Sequence, residues 1–257
     1  MSGQIASPTS EVSELVPAGC MGCEARTRGI CGSLHGEQLS ELSRMSHRRS
    51  VAAGNRIGRG VSNADTFGVI LSGVVSLSKN LPDGRHQIVA LQFAPSFVGR
   101  PFRETEDIEA CASSQVRICT FPRSSFETML GHNSPLERRV LSETLSQLDE
   151  TRDWLIVLGR KTALERVATY LELITSHARP GPNGTAPLDV PMPLSRGEMS
   201  DFLGLTIETV SRKMTELRKM GIIEFQSAAA IRICSSTDLH LASGNSPQSN
   251  SLRSSAA

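Results

Sequence analysis

Residues 194–223, LSRGEMSDFLGLTIETVSRKMTELRKMGII, carry the strongest local signals in the chain. Ser195 and Glu198 fit the S-x-x-E capping box, in which each side chain accepts a hydrogen bond from the other residue's backbone N–H at a helix start. Gly204 permits a tight turn, and Thr206 can cap a second helix. The stretch therefore predicts two short helices joined by a glycine turn, as in a helix-turn-helix.

The second predicted helix has an apolar side and a polar side. The apolar side, at a spacing of about 3.6 residues, consists of Ile207, Val210, Met214 and Leu217. Arginine can donate two hydrogen bonds to guanine, glutamate can accept one from cytosine, and hydroxyls can do either. We therefore expect DNA contacts from Thr206, Glu208, Thr209, Ser211 and Arg212.

A solvated helix face with a Glu208–Arg212 ion pair is the alternative interpretation of those charges. The capping box, the turn glycine and the apolar spacing together favour DNA reading. Residues 221–234, GIIEFQSAAAIRIC, then predict a two-stranded wing.

A long helix is predicted upstream of this motif. Pro135 suits a first turn, and nothing breaks the chain before Gly159. A near-heptad stripe of leucines suits a seam between two copies of the chain. The alternative is an ordinary amphipathic helix packed on its own domain. The stripe consists of Leu141, Leu145, Leu148 and Leu155.

The polar stretch DETRD, residues 149–153, interrupts the stripe. In a parallel pair of helices Asp149, Glu150 and Asp153 would lie near their counterparts, and like charges there disfavour association. A seam this weak can be tipped by a few kcal/mol, which is enough to shift a two-state population. We expect the leucines and these acids to form a dimer switch.

The remainder of the chain divides by composition. Between the cysteines and the long helix lie short β-prone runs separated by glycines, with a hairpin turn at Asp83-Gly84, which predicts an all-β roll. Helices are predicted at 36–45 and 162–177. The predicted divisions are a flexible leader (1–18), a cysteine region (19–47), a β-roll (48–130), the dimerisation helix (131–160), a winged helix-turn-helix domain (161–234) and a disordered tail (235–257).

Three cysteines stand close together near the start of the chain, Cys20, Cys23 and Cys31, in the pattern C-x2-C-x7-C. A nucleophile needs one thiol and a disulfide two, so three favour a metal or a metal cluster. With His35 they also make C-x2-C-x7-C-x3-H, which matches a tetrahedral zinc site. Further cysteines stand at Cys111, Cys119 and Cys234.

Composition limits the remaining possibilities. The chain has 257 residues, 39% of them hydrophobic, and a net charge of +1, which excludes a strongly basic nucleic-acid binder but not a local DNA-reading surface. No secretory signal precedes the cysteines and no apolar run is long enough to span a membrane, so we expect a cytoplasmic protein. Paired catalytic carboxylates, a Ser/His/Asp arrangement and a phosphate-binding glycine loop are missing from the β region, so an enzyme is not expected.

Taken in order, these features resemble the CRP/FNR family of bacterial transcription regulators, in particular its oxygen-sensing FNR-type members of the FnrL/FnrN kind from alpha-proteobacteria. The resemblance covers residues 18–234, and the family's E-x-x-S-R signature stands here as Glu208, Ser211 and Arg212. It implies an α+β fold with a cyclic-nucleotide-binding-like β-roll, a long dimerisation helix and a C-terminal winged helix-turn-helix. It also implies a homodimer on a palindromic promoter site with TTGAT-like half-sites, and contact with RNA polymerase as an activator.

The resemblance further implies an oxygen-labile [4Fe–4S] cluster held by four cysteines. Cys119 would be the fourth ligand, because it precedes a hydrophobic-Pro pair in RICTFPRSS as in FNR-type proteins. Cys111 is the runner-up, since the strand register cannot be read from the sequence. Cys234, on the wing, is expected to be a small buried hydrophobe. The C-x7-C gap is longer than the C-x5-C gap of the enterobacterial type.

Some family members bind cyclic nucleotides through a Gly-Glu pair and an Arg-Ser/Thr pair. The comparable segment here, residues 97–114, reads FVGRPFRETEDIEACASS, with Arg100 in place of the glutamate and acids where phosphate would bind. We therefore expect no cAMP binding. The expected mechanism is that the intact cluster favours the dimer and that oxygen dismantles the cluster and loosens the seam.

Overall fold

The computed structural model describes residues 16–57, 66–102, 108–178 and 187–245. Contacts between residues divide the chain into two units. The first contains Met1–Ser78 and Leu91–Gln147, and the second contains Lys79–Ala90 and Leu148–Ala257. Most of the predicted leader (residues 1–15) and the last twelve residues of the predicted tail lie outside the described ranges.

The N-terminal segment of the first unit is a succession of short turns and helices. Two 3-10 turns, Ala18–Cys20 and Ile30–Ser33, flank helix α1, Glu24–Thr27. Helix α2 then spans Gly36–Met45 and buries Leu39 and Leu42, which confirms the helix predicted at 36–45.

Seven strands build the β-roll. They are β1 (His47–Val51), β2 (Thr66–Ser72), β3 (Val74–Asn80), β4 (His86–Phe93), β5 (Phe97–Val98), β6 (Glu109–Ala112) and β7 (Val116–Pro122). One sheet has the order β1-β7-β2-β5 and the other the order β4-β3-β6. The tip of the β3–β4 hairpin has Gly84 at φ 86°, as the predicted turn requires.

The sheet β1-β7-β2-β5 separates two apolar cores. Side chains alternate between the faces of a strand, so Val116 and Ile118 of β7 enter one core and Phe121 the other. The core that contains Phe121 also contains Phe67 and Phe126, whose rings stack with centroids 4.2 Å apart. Its remaining members come from strands β2 and β5, the N-terminal segment, α2 and the two helices that follow the roll.

Those two helices are α3, Arg123–His132, and α4, Ser134–Arg160. The sequence did not predict α3, which begins directly after Pro122 and buries Phe126, Met129 and Leu130. Helix α4 is the predicted long helix. It continues through Gly159 to Arg160, so the glycine does not end it.

The second unit holds the C-terminal elements. They are α5 (Ala163–His177), β8 (Leu188–Pro191), α6 (Arg196–Leu203), α7 (Ile207–Lys219), β9 (Ile223–Ser227), β10 (Ala230–Ile233) and α8 (Ser236–Ala242). The wing has three strands, ordered β8-β10-β9, and not the predicted two. Its extra strand β8 pairs with β10 through Asp189 and Arg232, whose side chains form two hydrogen bonds of 2.8 and 3.1 Å.

The prediction that residues 235–257 are disordered is wrong for their first part. Ser235 caps α8, Leu239 is buried, and His240 Nδ1 lies 2.8 Å from Glu172 Oε1 on α5. The low-complexity composition concealed these contacts and two further hydrogen bonds, from Lys161 Nζ to the Ser243 backbone oxygen at 2.7 Å and from Asn245 Nδ2 to Glu172 Oε2 at 3.2 Å. Within the described residues, no helix is both long and apolar enough to cross a membrane.

Candidate functional site

Helix α6 begins with the predicted capping box. The Ser195 side chain accepts a hydrogen bond from the Glu198 N–H at 3.2 Å, and Glu198 Oε2 accepts one from the Ser195 N–H at 2.8 Å. Both orphan donors at this helix start are thereby satisfied. Met199, Phe202 and Leu203 are buried and fix the helix in the second unit.

The turn after α6 depends on Gly204. It adopts φ 60° and ψ 43°, a left-handed conformation that costs a residue with a Cβ about 1–2 kcal/mol. Thr206 then caps α7, because its Oγ1 accepts a hydrogen bond from the Thr209 N–H at 3.2 Å and also bonds the Thr209 hydroxyl at 3.1 Å. These two threonines therefore set the start of the second helix.

Helix α7 buries one side and exposes the other. Val210, Met214 and Leu217 have no exposed surface, as the apolar spacing predicted. Ile207, in the first turn, was assigned to that side but is 50% exposed, although its Cδ1 lies 4.0 Å from the position that a Cβ at Gly197 of α6 would occupy. Glu208, Ser211 and Arg212 are exposed.

Glu208 and Arg212 form no ion pair with each other, nor does either pair with another residue of the described ranges. The pKa of Glu208 is lowered by hydrogen bonds from its own backbone N–H and from the Thr206 hydroxyl, so its carboxylate stays ionised. The alternative of a self-paired helix face is therefore not what the structure has. Both charges remain available to a ligand.

A group of cationic side chains that the sequence analysis missed surrounds the wing residue Phe225. The guanidinium carbons of Arg196 and Arg218 lie 5.5 and 5.3 Å from its ring centroid, within the range of a cation–π contact. Only the strand register and the helix ends bring these three residues together, so no local sequence pattern marks them.

The exposed stripe on α4 is present as predicted. Leu145 and Leu155 are 51% and 66% exposed, and Leu141 and Leu148 are exposed as well. The opposite side of the helix buries Leu136 and Val140 in the first unit. Asp149 is not an isolated acid, since its Oδ1 lies 2.9 Å from Arg152 Nη1, although so exposed a pair contributes little to stability.

The other predicted site is built on the N-terminal arm, which we define as residues 16–35. Cys20 lies in the first 3-10 turn, Cys23 directly precedes α1, and Cys31 lies in the second 3-10 turn. Their backbones are linked by hydrogen bonds, among them Cys23 N–H to Cys20 O at 3.3 Å. All three side chains pack against the core that contains Phe67 and Phe121.

Strand β7 brings Cys119 to the same place. Cys119 and Phe121 are two residues apart and so point to the same face of the sheet, the face that the arm covers. Cys111 lies on β6 of the other sheet, between the core residues Ala110 and Ala112, so it faces away from that core. Its Sγ instead lies 3.4 Å from Glu109 Oε1.

The four thiols are close enough to influence one another. Burial raises the pKa of Cys31 to about 12, and the negative charges of Cys119, Cys23 and Cys20 add to the rise. Burial also raises the pKa of Cys119, while hydrogen bonds from Ser46 and Arg48 and the charge of Arg48 act in the opposite direction. The structure thus brings Cys119, and not Cys111, to the face of the sheet against which the three arm cysteines pack.

The sequence predicts two alternative groups for these cysteines, a [4Fe–4S] cluster and a zinc ion. In the parts of the chain that the structure describes, no three His, Cys, Asp or Glu side chains converge as the ligands of a single ion do. His35 is exposed and precedes α2. Cys234 directly follows β10 in the second unit and is half-buried, not buried as predicted. A [4Fe–4S] cluster takes one thiolate on each of its irons, so its ligands stand farther apart, and a set of four thiols fits it.

A β-roll, a long helix with an exposed leucine stripe and a winged helix-turn-helix define a DNA-binding transcription regulator. Comparison with known proteins agrees with this class. Residues 48–133 match the cyclic nucleotide-binding domain, and residues 165–240 match the Crp-like helix-turn-helix domain.

The chain is 46% identical to a probable transcriptional activator of Rhizobium leguminosarum bv. viciae, covering 82% of this chain and 87% of that protein. It is 35% identical to the transcriptional activator protein FnrL of Cereibacter sphaeroides, over 80% of this chain and 84% of that protein. The solved structure of FixK2 from Bradyrhizobium japonicum superposes with a TM-score of 0.69 at 29% identity, over 79% of this chain and 99% of that one. The chain belongs to the CRP/FNR family of transcription regulators.

The turn between α6 and α7 can be tested with two glycine variants, for which the expected changes in the free energy of unfolding differ. Gly204→Ala should lower the free energy of unfolding by about 1–2 kcal/mol, because alanine resists the left-handed conformation. Gly197→Ala, at the second residue of α6, should be neutral or stabilising by up to about 1 kcal/mol, since the nearest atom to its new Cβ is 3.9 Å away. Chemical denaturation measures both, and an equal loss in the two variants would contradict the assigned turn.

Proposed function

We propose that this regulator responds to oxygen through a [4Fe–4S] cluster held by Cys20, Cys23, Cys31 and Cys119. The observation that carries the proposal is the placement of the four cysteines: Cys20, Cys23 and Cys31 pack against the core that contains Phe121, and Cys119 points to the same face of β7 as Phe121. When bound, the cluster supplies an oxygen-labile group at this position. The residues of the chain hold it, and transmit its presence to α4.

Apolar packing supplies the connection from the arm to α4. Ile30 and Leu34 of the arm are buried in the same core as Leu136 and Val140 of the helix. The Arg139 side chain also donates a hydrogen bond to the backbone oxygen of Arg28. A change in the position of the arm therefore acts directly on the beginning of α4.

The exposed leucine stripe on α4 is the proposed seam with a second copy. Its residues recur as a heptad, and the position seven residues after Leu145 is held by Arg152. A polar residue at a core position of a coiled coil weakens the pair. Arg152, with Asp149, Glu150 and Asp153 around it, keeps the seam weak enough for the arm to control.

In the DNA complex α7 is the proposed recognition helix. Its exposed Arg212 donates to guanine, its Glu208 accepts from cytosine, and Ser211 adapts to either partner. Thr206 and Thr209 at the helix start are placed for contacts to the backbone or bases. The family resemblance supports palindromic TTGAT-like half-sites, one for each subunit.

The tip of the β3–β4 hairpin is a proposed contact for RNA polymerase. Arg85 binds Asp83 within the turn at 2.8 Å, and both side chains are exposed. His86 is exposed as well, and its Nδ1 lies 3.3 Å from Asp201 Oδ2 of α6 within the second unit. The proposed contact is therefore the exposed turn from Asp83 to His86.

We also propose that the β-roll does not bind cAMP. Arg100 stands where the nucleotide-binding relatives carry a glutamate, directly after Gly99 at φ 114°. Most of the acids expected to repel phosphate lie at 103–107, outside the described residues. The roll then serves as a frame for Cys119.

The recognition role of Arg212 predicts a change in sequence discrimination. Arg212→Gln should lose about 1–3 kcal/mol of preference for the palindromic site over a half-site mutant, roughly 5- to 150-fold in Kd. Lys219→Gln, at the exposed end of α7, should weaken binding to both sequences alike. Fluorescence anisotropy at fixed salt measures the ratio, and an unchanged ratio in Arg212→Gln would exclude this contact.

Cluster binding predicts a difference between two cysteine variants. Anaerobically purified wild-type protein and Cys111→Ser should contain iron and sulfide, about four of each per chain. Cys119→Ser should contain much less of both and lose the broad visible absorption. A colourless wild-type protein with one zinc per chain would contradict the cluster and support the alternative zinc site of Cys20, Cys23, Cys31 and His35.

The weak seam predicts a variant that no longer responds to air. Wild-type dimers should dissociate after air exposure and release promoter DNA, whereas Arg152→Leu, with an apolar residue in the seam, should remain dimeric and bound. Ser146→Leu adds the same side chain off the stripe and should behave as wild type. Sedimentation velocity measures the fraction of dimer before and after air exposure. If Arg152→Leu dissociates like wild type, Arg152 does not lie in the seam.

A further inference from the structure

Arg48 lies directly across from Cys119 in the sheet. Strands β1 and β7 are antiparallel, and their register pairs Arg48 with Cys119 and Arg49 with Ile118. Cross-strand partners project from the same face of a sheet, with Cβ atoms about 4.5–5.5 Å apart. The Arg48 side chain therefore starts on the face that carries the cysteines, and Arg49 on the opposite face.

The Arg48 side chain reaches both halves of the cysteine site. Its Nη2 donates a hydrogen bond to the backbone oxygen of Gly19, the residue before Cys20. Its guanidinium lies beside Gly19, with Cζ, Nη1 and Nη2 3.5–3.6 Å from the position that a Cβ there would occupy. Burial raises the pKa of Cys119, and the charge of Arg48 and hydrogen bonds from Ser46 and Arg48 act in the opposite direction.

Within the described part of the chain, no carboxylate is paired with Arg48. Its charge is thus directed to the thiols and to the arm backbone. Four thiolates in one site repel one another, and an adjacent cation offsets part of that repulsion. The planar guanidinium can also donate to two acceptors at once, which an ammonium cannot do in the same geometry.

We propose that Arg48 is a positioning residue of the cysteine site, which ties the arm to β7 and balances the negative charge of the cluster ligands. This inference rests on the proposed cluster function. Outer-shell partners of metal ligands change metal affinity by about 10- to 100-fold, and hydrogen bonds to the sulfurs and net charge set the potentials of such clusters. Because Arg48 is exposed and partly screened by solvent, we expect the lower end of that range.

The test compares Arg48→Gln, Arg48→Lys and the matched control Arg49→Gln, all reconstituted without air. Arg48→Gln should release iron to a chelator about 10 times faster than wild type, and its midpoint potential should become more negative, because a positive charge beside the ligands is lost. Arg48→Lys keeps the positive charge but loses the planar guanidinium that can donate to two acceptors at once. It should therefore restore the potential while still losing iron faster than wild type. Arg49→Gln should match wild type in both measurements.

The outcomes separate this inference from the function on which it rests. Wild-type protein that takes up no iron and sulfide overturns both. Wild-type and Arg48→Gln proteins that load equally, with the same potential and the same rate of iron release, overturn the role of Arg48 alone. If metal-free Arg48→Gln differs from wild type in its circular dichroism spectrum or melting curve, the variant is not correctly folded. The rate of iron release from Arg48→Lys then tests the proposal instead. Wild-type iron release in that variant overturns the proposal.

Discussion

The arm that carries Cys20, Cys23 and Cys31 is held by apolar packing on the outer face of the β1-β7-β2-β5 sheet, and the regulatory geometry depends on this contact. Burial of Ile30 and Leu34 contributes on the order of 3–6 kcal/mol if each counts as a fully buried side chain. That is comparable with the roughly 5.5 kcal/mol needed to move a two-state population almost completely from one form to the other. An arm that is displaced from this core can therefore shift the state of α4, whose Leu136 and Val140 share it.

The winged helix-turn-helix was accessible from the sequence because its signals are local. The capping box is set by Ser195 and Glu198, three residues apart, and the turn by Gly204 itself. Both features are present in the structure. The prediction for Ile207 was wrong, because spacing alone assigned it to the buried side and it is 50% exposed in the first turn of α7. The third wing strand β8 and the Arg196–Phe225–Arg218 group depend on pairing between distant segments, which periodicity does not report.

The fourth cysteine shows the same limit at the candidate site. Spacing alone left Cys111 and Cys119 open, since both stand in short β-prone runs. Strand register separates them: Cys119 shares a face with Phe121, whereas Cys111 alternates with residues of the other core. The family resemblance pointed to Cys119, but the physical reason is this two-residue alternation. Helix α8 was missed for a different reason, since one buried leucine in a polar tail produces no periodic pattern.

The thiols themselves do not hold the arm in place. With its pKa raised to about 12, Cys31 is protonated at neutral pH when no metal is bound, and the neutral thiol is compatible with its apolar surroundings. Metal ligation requires thiolates, so assembly must displace protons from a site that burial makes unfavourable for charge. In the proposed cluster site, apolar contacts would bring the cysteines together first, and the thiolate charge would arrive with the iron that neutralises it. Loss of the proposed cluster would leave thiolates that must recover protons or separate, and the arm that carries them packs in the same core as the beginning of α4.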